Sequence, residues 1–461
     1  MNIFKTIGFK KIATVAVFLV FFGFGCKGLS AEEKQAVSPV VLNYWTVYNN
    51  LEQLEKFAQE YKKIRPYVTV SIRQVRYDEF DRLFTNALAD DVGPDIVSMN
   101  VRWLGKYRTR LGIMPSQVQV SRLQLKSKLN KEIEVIQETN TMPSVKSIRS
   151  AYVQSVGADA IRSGDVYGLP LALDALAIYY NKDLLDKAGI PEPPATWDEF
   201  VEAVKKSTKF SSSGSIIQSG VALGTSANID NTFDILSLLM LQNGVQMASN
   251  NSVTFATDID KIRLNHPTMQ ALRFYADFAN PNKEAYSWND SMDDAFTSFV
   301  RGKNVFYFGY AFDRSRILSR APGMNLSVIP MPQLNPASPV NVANYWLESV
   351  SKKTAHADEA WDFVRYITSP EKVKEYTDAS LQPSPIRAQI TAQQENEDLA
   401  PFASQVLFAQ NWYNGRDVDE ADKAFKDLVT LYNRPYEDEK DPVKRDVDLI
   451  LNTARVVQQT M

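Results

Sequence analysis

The chain has 461 residues, of which 44% are hydrophobic and 23% are charged. This composition is ordinary for a globular protein, and the length exceeds that of a single ordinary domain, so we expect two lobes. The 51 basic and 54 acidic residues give a formal net charge of -3. This balance argues against nucleic acid as a partner, because binding to phosphates requires a basic face.

The residue types needed for most catalytic centres are scarce. The chain has two histidines, His266 and His356, and one cysteine, so neither a His/Cys metal site nor a Cys–His dyad can be assembled. The sequence also lacks a Walker A lysine loop, a GxSxG elbow and a GxGxxG motif that opens a helix. We therefore predict no metal, no cofactor and no enzymatic activity. Paired carboxylates remain possible among 54 acidic residues, so an extracellular glycan-active enzyme stays open as an alternative.

Residues 1–25 are typical of a signal peptide. Three lysines precede an apolar run over residues 12–25, which is shorter than a membrane span of about 20 residues. Cys26 follows directly, and the pattern resembles a bacterial lipoprotein signal, in which this cysteine is lipidated and becomes the first mature residue. Gly23 stands where that signal usually has leucine, and an ordinary signal peptide is the alternative. Residues 26–39 are then a lipid-anchored polar tether.

Strands and helices alternate from residue 40 onward. The spacing of apolar residues predicts strands over 40–45, 68–75 and 96–99, with helices over 51–64 and 77–89 between them. This order predicts a mostly parallel α/β sheet, whose ligands bind in the loops at the carboxyl ends of the strands. Four candidate ligand-binding residues fall on these loops: Trp45, Tyr48, Asn100 and Trp103.

A polar stretch over residues 114–149 follows, rich in lysine, glutamine and serine. We predict amphipathic helices there that decorate the first lobe with a charged, solvated face.

The stretch from Asp165 to Phe200 is predicted to leave one lobe and enter the other. Gly168 and Pro170 break the preceding structure, and an apolar strand then runs to Tyr180 with a charged residue, Asp174, at its centre. A charge in such a strand is costly unless it has partners or faces a water-filled cleft. A helix capped by an asparagine and a glycine comes next, followed by a capping box that starts another helix.

The second half of the chain supplies the remaining candidates. A strand over residues 304–310 follows an RGK turn, and the prolines between 332 and 339 indicate a second crossing loop. Helices fill most of the remainder and are expected to pack on the second lobe. The candidates in this half are Trp288, Tyr310, Asn344, Trp346, Arg387 and Trp412.

Aromatic loop residues and polar side chains together suit a carbohydrate. The flat C–H faces of a sugar stack on aromatic rings, and its hydroxyls pair with carboxylates, amides and guanidinium groups. Each aromatic residue has packing in the core as its alternative. Asp174 has a structural ion pair or a capping contact as its alternative, and Arg387 has pairing with an acidic residue.

The order of these stretches resembles the extracellular solute-binding proteins of the maltose-binding type, which are carbohydrate receptors of ATP-driven (ABC) importers. The resemblance covers nearly all of the mature chain. It implies a periplasmic-binding-protein-like α/β fold of two lobes, each a mostly parallel sheet flanked by helices, with a hinged cleft between them. We expect residues 40–168 and 304–340 to form lobe 1, and residues 169–303 and 341–461 to form lobe 2.

The resemblance also implies a function. The protein would capture a sugar or oligosaccharide between the lobes and deliver it to the permease of an ABC importer, as a monomer held to the outer face of the cell membrane by Cys26, or in the periplasm. A polyamine, a metal complex or a polyol phosphate in the same architecture is the alternative. A phosphate ligand would require clustered arginine or lysine in the cleft.

The lipoprotein pattern generates the first prediction. Replacement of Cys26→Ser removes the predicted lipidation site, so the protein should move from the membrane fraction to the soluble fraction of cells that express it. Lys27→Ser, next to it, is the control and should stay membrane-bound. A Cys26→Ser protein that remains in the membrane fraction would show that the leader, and not a lipid, holds the chain there.

Overall fold

The computed structural model describes residues 30–127, 132–436 and 441–461. The predicted signal peptide and Cys26 lie outside these residues. Within them, the strands are β1 (Val40–Thr46), β2 (Val68–Gln74), β3 (Ile96–Asn100), β4 (Gln117–Ser127), β5 (Glu132–Thr141), β6 (Ile161–Arg162), β7 (Asp165–Val166), β8 (Leu173–Ala175), β9 (Ala177–Asn181), β10 (Lys209–Phe210), β11 (Ile216–Val221), β12 (Ala248–Ser249), β13 (Ser252–Val253), β14 (Asn304–Gly309), β15 (Leu326–Pro330), β16 (Asn341–Val350) and β17 (Ala409–Gln410).

The α-helices surround these strands on both lobes. They are α1 (Ala31–Ala36), α2 (Leu51–Ile64), α3 (Tyr77–Ala89), α4 (Leu104–Tyr107), α5 (Val145–Ala151), α6 (Gln154–Asp159), α7 (Lys182–Lys187), α8 (Trp197–Ser207), α9 (Thr232–Gln242), α10 (Ile259–Ile262), α11 (Pro267–Asp277), α12 (Ala295–Val300), α13 (Asp313–Arg320), α14 (Ala357–Ile367), α15 (Pro370–Ser380), α16 (Arg387–Gln393), α17 (Ala400–Ala403), α18 (Val418–Tyr432) and α19 (Pro442–Thr460). None of the helices in the described ranges is long and apolar enough to cross a membrane. Part of the predicted tether is helical, because Ser30 forms a capping box that starts α1.

Two separate sheets confirm the predicted two-lobed α/β architecture. The first sheet has the strand order β17-β16-β3-β1-β2, with β8 also paired to β16, and the second has the order β10-β11-β14-β9-β15. In the first sheet β1 runs parallel to both β2 and β3, as predicted. In the second sheet β9 runs antiparallel to both β14 and β15, so this sheet is mixed rather than mostly parallel.

The predicted crossing segment does pass between the sheets. β8 ends at Ala175 in the first sheet, and β9 begins at Ala177 in the second, so a single residue separates them. The proline-rich stretch between β15 and β16 returns the chain to the first sheet. A third passage follows β17, because α18 packs against α9 of the second lobe.

The expected division of the chain between the lobes needs a correction. Residues 304–330 carry β14 and β15, which belong to the second sheet and not to lobe 1 as we expected. Residues 341–350 form β16, which pairs with β3 of the first sheet and not with lobe 2. The helix α14, which we also expected on lobe 2, packs on β16, α2 and β4 of the first lobe. The physical reason is that helices connect β11 to β14 as a parallel crossover, and such a connection returns to the sheet that it left.

The polar stretch over 114–149 also differs from the prediction, because it forms an antiparallel hairpin of β4 and β5 instead of amphipathic helices. The deciding pattern has a period of two: Val118 and Val120 are buried, and the residues between them are exposed. Tyr67 and Arg65 attach the hairpin to the first lobe through the backbone of Ser121. A helix, α5, forms only after the hairpin.

Asp362 on α14 joins the hairpin to the helices of the first lobe. Its carboxylate accepts hydrogen bonds from Tyr61 at 2.8 Å, from Asn140 of the hairpin at 2.8 Å and from Arg365 at 2.8 Å, and it pairs with Arg65 at 3.3 Å. Burial opposes the ionised form, but these partners outweigh it and hold the pKa of Asp362 below its usual value.

The second prediction follows from this network. Asp362→Asn removes one of the two carboxylates that pair with the buried Arg65 and leaves Glu138, at 2.7 Å, as the other. The loss should lower the free energy of unfolding at pH 7 by about 1–3 kcal/mol. Because the pKa is lowered in the folded state, the ionised carboxylate stabilises the fold above about pH 4, and the difference from wild type should shrink as the pH falls below that value. Urea unfolding at several pH values measures both effects.

The matched control is Asp378→Asn, which removes an exposed carboxylate paired with Lys374. Exposed ion pairs contribute about 1 kcal/mol or less, so this variant should unfold close to wild type. Equal losses in the two variants would contradict the role given to the Asp362 network.

Candidate functional site

A cavity of about 350 Å³, the first chamber, lies between the two lobes. The first lobe lines it with side chains from the loops after β1 and β3, from α3 and from β16: Tyr48, Tyr77, Asn100, Arg102, Asn344 and Trp346. The second lobe lines it with side chains from the start of α9, the loop after β14 and α18: Asp230, Asn231, Phe233, Asp234, Tyr310, Phe312, Val418, Asp419, Asp422 and Lys426. The volume lies within the range of small-molecule sites, about 300–1,000 Å³.

The strand ends explain why these residues meet. β1 and β3 are parallel neighbours, so Tyr48 and Asn100 emerge at the same edge of the first sheet. β16 lies beside β3 with Trp346 directly opposite Asn100, which brings Asn344 to the same edge. Across the cleft, α9 and α18 direct their first turns at the chamber, where acidic side chains interact favourably with the helix N-termini.

Aromatic rings form the wall of the first lobe. Trp346 meets Tyr48 and Trp103 edge to face, with ring centroids 5.6 Å and 5.3 Å apart. Tyr48 in turn stacks on Tyr77 of the same lobe, with centroids 6.1 Å apart. Such mutual contacts fix the ring orientations before a ligand arrives.

Polar groups from both lobes meet at the floor of the chamber. The Asn100 amide donates to Asn344 at 3.0 Å, and the Tyr310 hydroxyl donates to Asp234 at 2.7 Å. Arg102 Nη2 lies 2.6 Å from Asp234 Oδ1, so an ion pair joins the two lobes. The geometry of this contact is not that of a hydrogen bond, and Arg102 Nε and Asp234 Oδ1 are both buried without a hydrogen-bond partner in the described part of the chain.

The charges at the floor affect one another. Burial favours the neutral form of Arg102, but the neighbouring charge of Asp234 outweighs it and raises the pKa of Arg102. The guanidinium of Arg102 therefore stays charged, and its Nε is a buried donor without a hydrogen-bond partner among the described residues.

The α18 wall is acidic. Asp422 pairs with Lys426 at 2.8 Å, and burial raises the pKa of both Asp419 and Asp422. With Asp230 and Asp234, the chamber holds four carboxylates against the two cations Arg102 and Lys426. This balance disfavours an anionic ligand. The described residues contain no cluster of three or more His, Cys, Asp or Glu that could hold a metal ion.

Five of the eleven sequence-predicted ligand residues line the first chamber. They are Tyr48, Asn100, Tyr310, Asn344 and Trp346. The residues that the sequence analysis missed carry most of the charge, above all Arg102 and Asp234. Asp234 gave one usable signal, because it is an acidic residue inside the otherwise apolar helix α9.

Asp174 lies beside the chamber and links the two lobes. Its side chain is 3% exposed and accepts hydrogen bonds from the backbone N–H of Ala175 at 2.9 Å and of Phe312 at 3.3 Å. Burial raises the pKa of Asp174 to about 7, although these backbone bonds favour the ionised form. The contacts are those of the alternative in which Asp174 holds the crossing segment together.

Two predicted tryptophans lie behind the cleft surface and do not line the chamber. Trp45 is buried, with the guanidinium of Arg73 4.7 Å from its ring centroid, because it lies within β1 and not on the loop after the strand, as we expected. Trp103 is buried behind Tyr77, on which it stacks, and its ring also stacks on Phe80 with centroids 4.8 Å apart.

Three more predicted residues are structural. Trp288 is fully buried in the second lobe and donates to Asn228 at 3.0 Å. Arg387 lies on the surface and donates to the backbone oxygen of Tyr152 at 2.7 Å, not to an acidic residue. Trp412 packs on α9, where its indole N–H donates to Ser237 at 3.0 Å. The two indole N–H groups are thus satisfied within the fold, and none of the three residues lines the first chamber.

The third prediction concerns Asp174. Because its pKa is higher in the folded protein than in the unfolded chain, the folded state keeps a proton between about pH 4 and pH 7 that the unfolded state loses. The free energy of unfolding should therefore fall as the pH rises through this window. Asp174→Asn removes this contribution, so the variant should lose less stability than wild type between pH 4 and pH 7 in urea unfolding.

Asp378→Asn on the surface is the control and should follow the wild-type pH dependence. Parallel pH profiles for wild type and Asp174→Asn would show that Asp174 ionises freely in the folded protein.

Comparison with known proteins assigns the chain to a family. The multiple sugar-binding protein of Streptococcus mutans serotype c is 27% identical over 313 residues, which cover 61% of this chain and 68% of that protein. Two solved structures share the fold: a cyclo/maltodextrin-binding protein complexed with maltotetraose (TM-score 0.65, 16% identity, 92% of this chain and 98% of that one) and an ABC substrate-binding protein from Listeria monocytogenes in complex with cycloalternan (TM-score 0.67, 15% identity, 92% and 99%). The model of the bacterial extracellular solute-binding protein family matches residues 48–374. The chain belongs to this family.

Proposed function

We propose that the protein is an extracytoplasmic receptor that binds a carbohydrate in the first chamber and presents it to the permease of an ABC importer. One observation carries the proposal: aromatic rings and paired amides of the first lobe face the charged groups of the second lobe across the first chamber. The ligands named for the related proteins, which include maltotetraose and cycloalternan, support the same class.

The chemistry of the chamber suits a neutral polyhydroxyl ligand. Trp346 and Tyr48 offer rings to the C–H faces of a sugar. The guanidinium of Arg102 offers donors, and the carboxylates of Asp230 and Asp419 offer acceptors, to hydroxyl groups. A site built to pair with hydroxyls rejects analogues that lack them, because its own polar groups would then be left unpaired.

Ligand contacts from both lobes supply the transport signal. Asn344 and Trp346 belong to the first lobe, and Tyr310 and Asp422 to the second, so a sugar in the chamber touches all four only when the lobes are closed. The ligand therefore stabilises the closed form by the difference between its affinities for the closed and open forms. The importer would recognise that closed form.

The finer features remain part of the proposal. The receptor binds without turnover, as a monomer, and Cys26 attaches it to the outer face of the membrane through the polar tether. A polyol phosphate is disfavoured by the four carboxylates of the chamber. The same carboxylates favour a polyamine as the second candidate, because Asp230 and Asp419 line the chamber and neither forms an ion pair within the described residues.

A thermal-shift screen of the purified protein tests the function. The panel contains malto-, arabino- and manno-oligosaccharides, monosaccharides, spermidine and a polyol phosphate. A ligand at 100 times its dissociation constant adds about 2.7 kcal/mol of stability, so a true ligand raises the melting temperature measurably. A shift with spermidine alone would replace the sugar by a polyamine, and release of reducing sugar from an oligosaccharide would establish an enzyme.

The fourth prediction compares two tryptophans. Trp346→Ala removes a ring of the chamber and should weaken binding of the best sugar by about 1–3 kcal/mol in isothermal titration calorimetry. Trp45→Ala removes a buried ring outside the chamber, so it should lower the melting temperature of the ligand-free protein while the surviving fold binds nearly as wild type. Equal losses of affinity in the two variants would contradict the placement of the ligand.

A further inference from the structure

The β4–β5 hairpin carries an apolar surface that the first lobe does not cover. The register of the two strands places Leu123 opposite Val135 and Leu125 opposite Ile133, so these four side chains lie together on one face of the hairpin. We call them the apolar face. Leu125 is 51% exposed and Ile133 is 52% exposed. Within the described ranges, none of the four packs on either core cluster.

The apolar face is turned away from the first lobe. The other face of the hairpin carries Val118, which is buried in the core of the lobe, and farther along Arg122 and Glu134, which are exposed. Closer to the lobe, the outer face is polar, with the exposed Gln119 opposite the exposed Thr139. An antiparallel sheet that serves only the fold buries its apolar side and exposes its polar side. The distal half of this hairpin does the reverse.

The hairpin leaves the first lobe at the end where the chain enters it. The N–H of Val40, the first residue of β1, donates to the backbone oxygen of Tyr67 at 2.8 Å, and the hydroxyl of Tyr67 accepts from the N–H of Ser121 at 3.0 Å. One tyrosine therefore spans the distance from the start of β1 to the hairpin. Val37, which follows α1, packs on the core cluster that contains Val118 of β4.

The predicted lipid anchor belongs to the same end of the lobe. Four peptide units separate Cys26 from Ser30, the residue that caps α1, and a chain of that length spans at most about 14 Å. The strand from Ser121 to Leu125 covers a similar distance, about 13 Å. A membrane that holds Cys26 is therefore within reach of Leu125 and Ile133.

The size of the apolar face distinguishes between the surfaces that could cover it. Two of its four side chains, Leu123 and Val135, are already half-buried. The patch is therefore far smaller than the area of about 800 Å² that each partner contributes to a stable protein interface. A lipid surface has no such minimum, because each apolar side chain that leaves water adds its own contribution.

We propose that the apolar face of the hairpin lies on the lipid surface of the membrane that holds Cys26. The inference rests on the lipid anchor of the proposed function and adds a second contact with the membrane. The aliphatic side chains enter the boundary between headgroups and acyl chains, and Arg122 and Glu134 stay on the water side of the hairpin. Insertion of so few side chains is reversible.

The contact would orient the receptor. β1 begins at Val40, beside the hairpin, and leads to Tyr48, which lines the first chamber. The hairpin and the chamber thus lie at opposite ends of this strand. A receptor whose hairpin rests on the bilayer holds its cleft turned away from the membrane, toward arriving ligands, and delivery to the permease follows when the hairpin lets go.

Fluorescence of the lipidated protein in vesicles tests the contact. Ile133→Cys provides a thiol for the environment-sensitive label NBD, in a chain whose one natural cysteine carries the lipid. In vesicles of equal parts phosphatidylethanolamine and phosphatidylglycerol, the emission of this label should shift to the blue and be quenched by a nitroxide-labelled lipid. Glu134→Cys, on the other face of β5, and Thr139→Cys, closer to the lobe, are the controls and should keep their emission in water.

Energy transfer to the bilayer tests the orientation. A donor on Lys423→Cys, in α18 beside the cleft, should transfer weakly to an acceptor lipid while the hairpin rests on the vesicle. Leu125→Ser combined with Ile133→Ser removes the exposed part of the apolar face, so the receptor tilts and transfer should increase. Ile217→Ser combined with Ile262→Ser, two exposed isoleucines of the second lobe, is the matched control and should leave transfer unchanged.

The remaining outcomes overturn the proposal in distinguishable ways. Unchanged emission at residue 133 in vesicles would remove the contact, while the thermal shift with sugar, which depends on the distant chamber, stays as in wild type. A blue shift before vesicles are added, in a protein that sediments as a dimer, would assign the apolar face to a second copy of the chain. Mass spectrometry that finds no lipid on Cys26 would overturn the anchor, and the membrane contact with it.

Discussion

The ion pair between Arg102 and Asp234 is the contact on which the geometry of the cleft depends. It joins the lobes at the floor of the first chamber, and Tyr310 holds the carboxylate from the side. Both charges are largely removed from water, which is costly for each of them alone. The pair is therefore favourable only while the lobes stay together, because opening the cleft separates the charges and returns each one to water.

The two lobes contribute different chemistry to the cleft. The first lobe supplies aromatic rings, and the second lobe supplies most of the charged groups.

The loop that carries Tyr48 is attached to the first lobe through Asn49, whose amide donates to the buried carboxylate of Glu348 at 2.8 Å. Burial raises the pKa of Glu348, and hydrogen bonds from Ser98 and Tyr44 favour its ionised form. The loop that carries Tyr48 is thus attached firmly to the core of the first lobe.

Local patterns predicted the parts of the fold that local forces decide. Helices α2 and α3 begin and end where the apolar spacing placed them, and the apolar strand after Gly168 and Pro170 correctly indicated the passage between lobes. The β4–β5 hairpin was missed because polar residues concealed the alternation around Val118 and Val120. The sheet that β14 joins depends on partners distant in sequence, which no local pattern encodes.

The candidate site was predictable only in part for a similar reason. An aromatic residue in a predicted loop has the same local pattern whether it faces a cleft, as Trp346 does, or fills the core, as Trp288 does.

The position of β16 in the first sheet affects how the chain folds during synthesis. This strand lies between β3, β8 and β17, so the first sheet stays incomplete until synthesis has passed residue 350. Until then β3 has an open edge, which is prone to pair with other chains. The growing chain is therefore exposed to aggregation until β16 covers this edge.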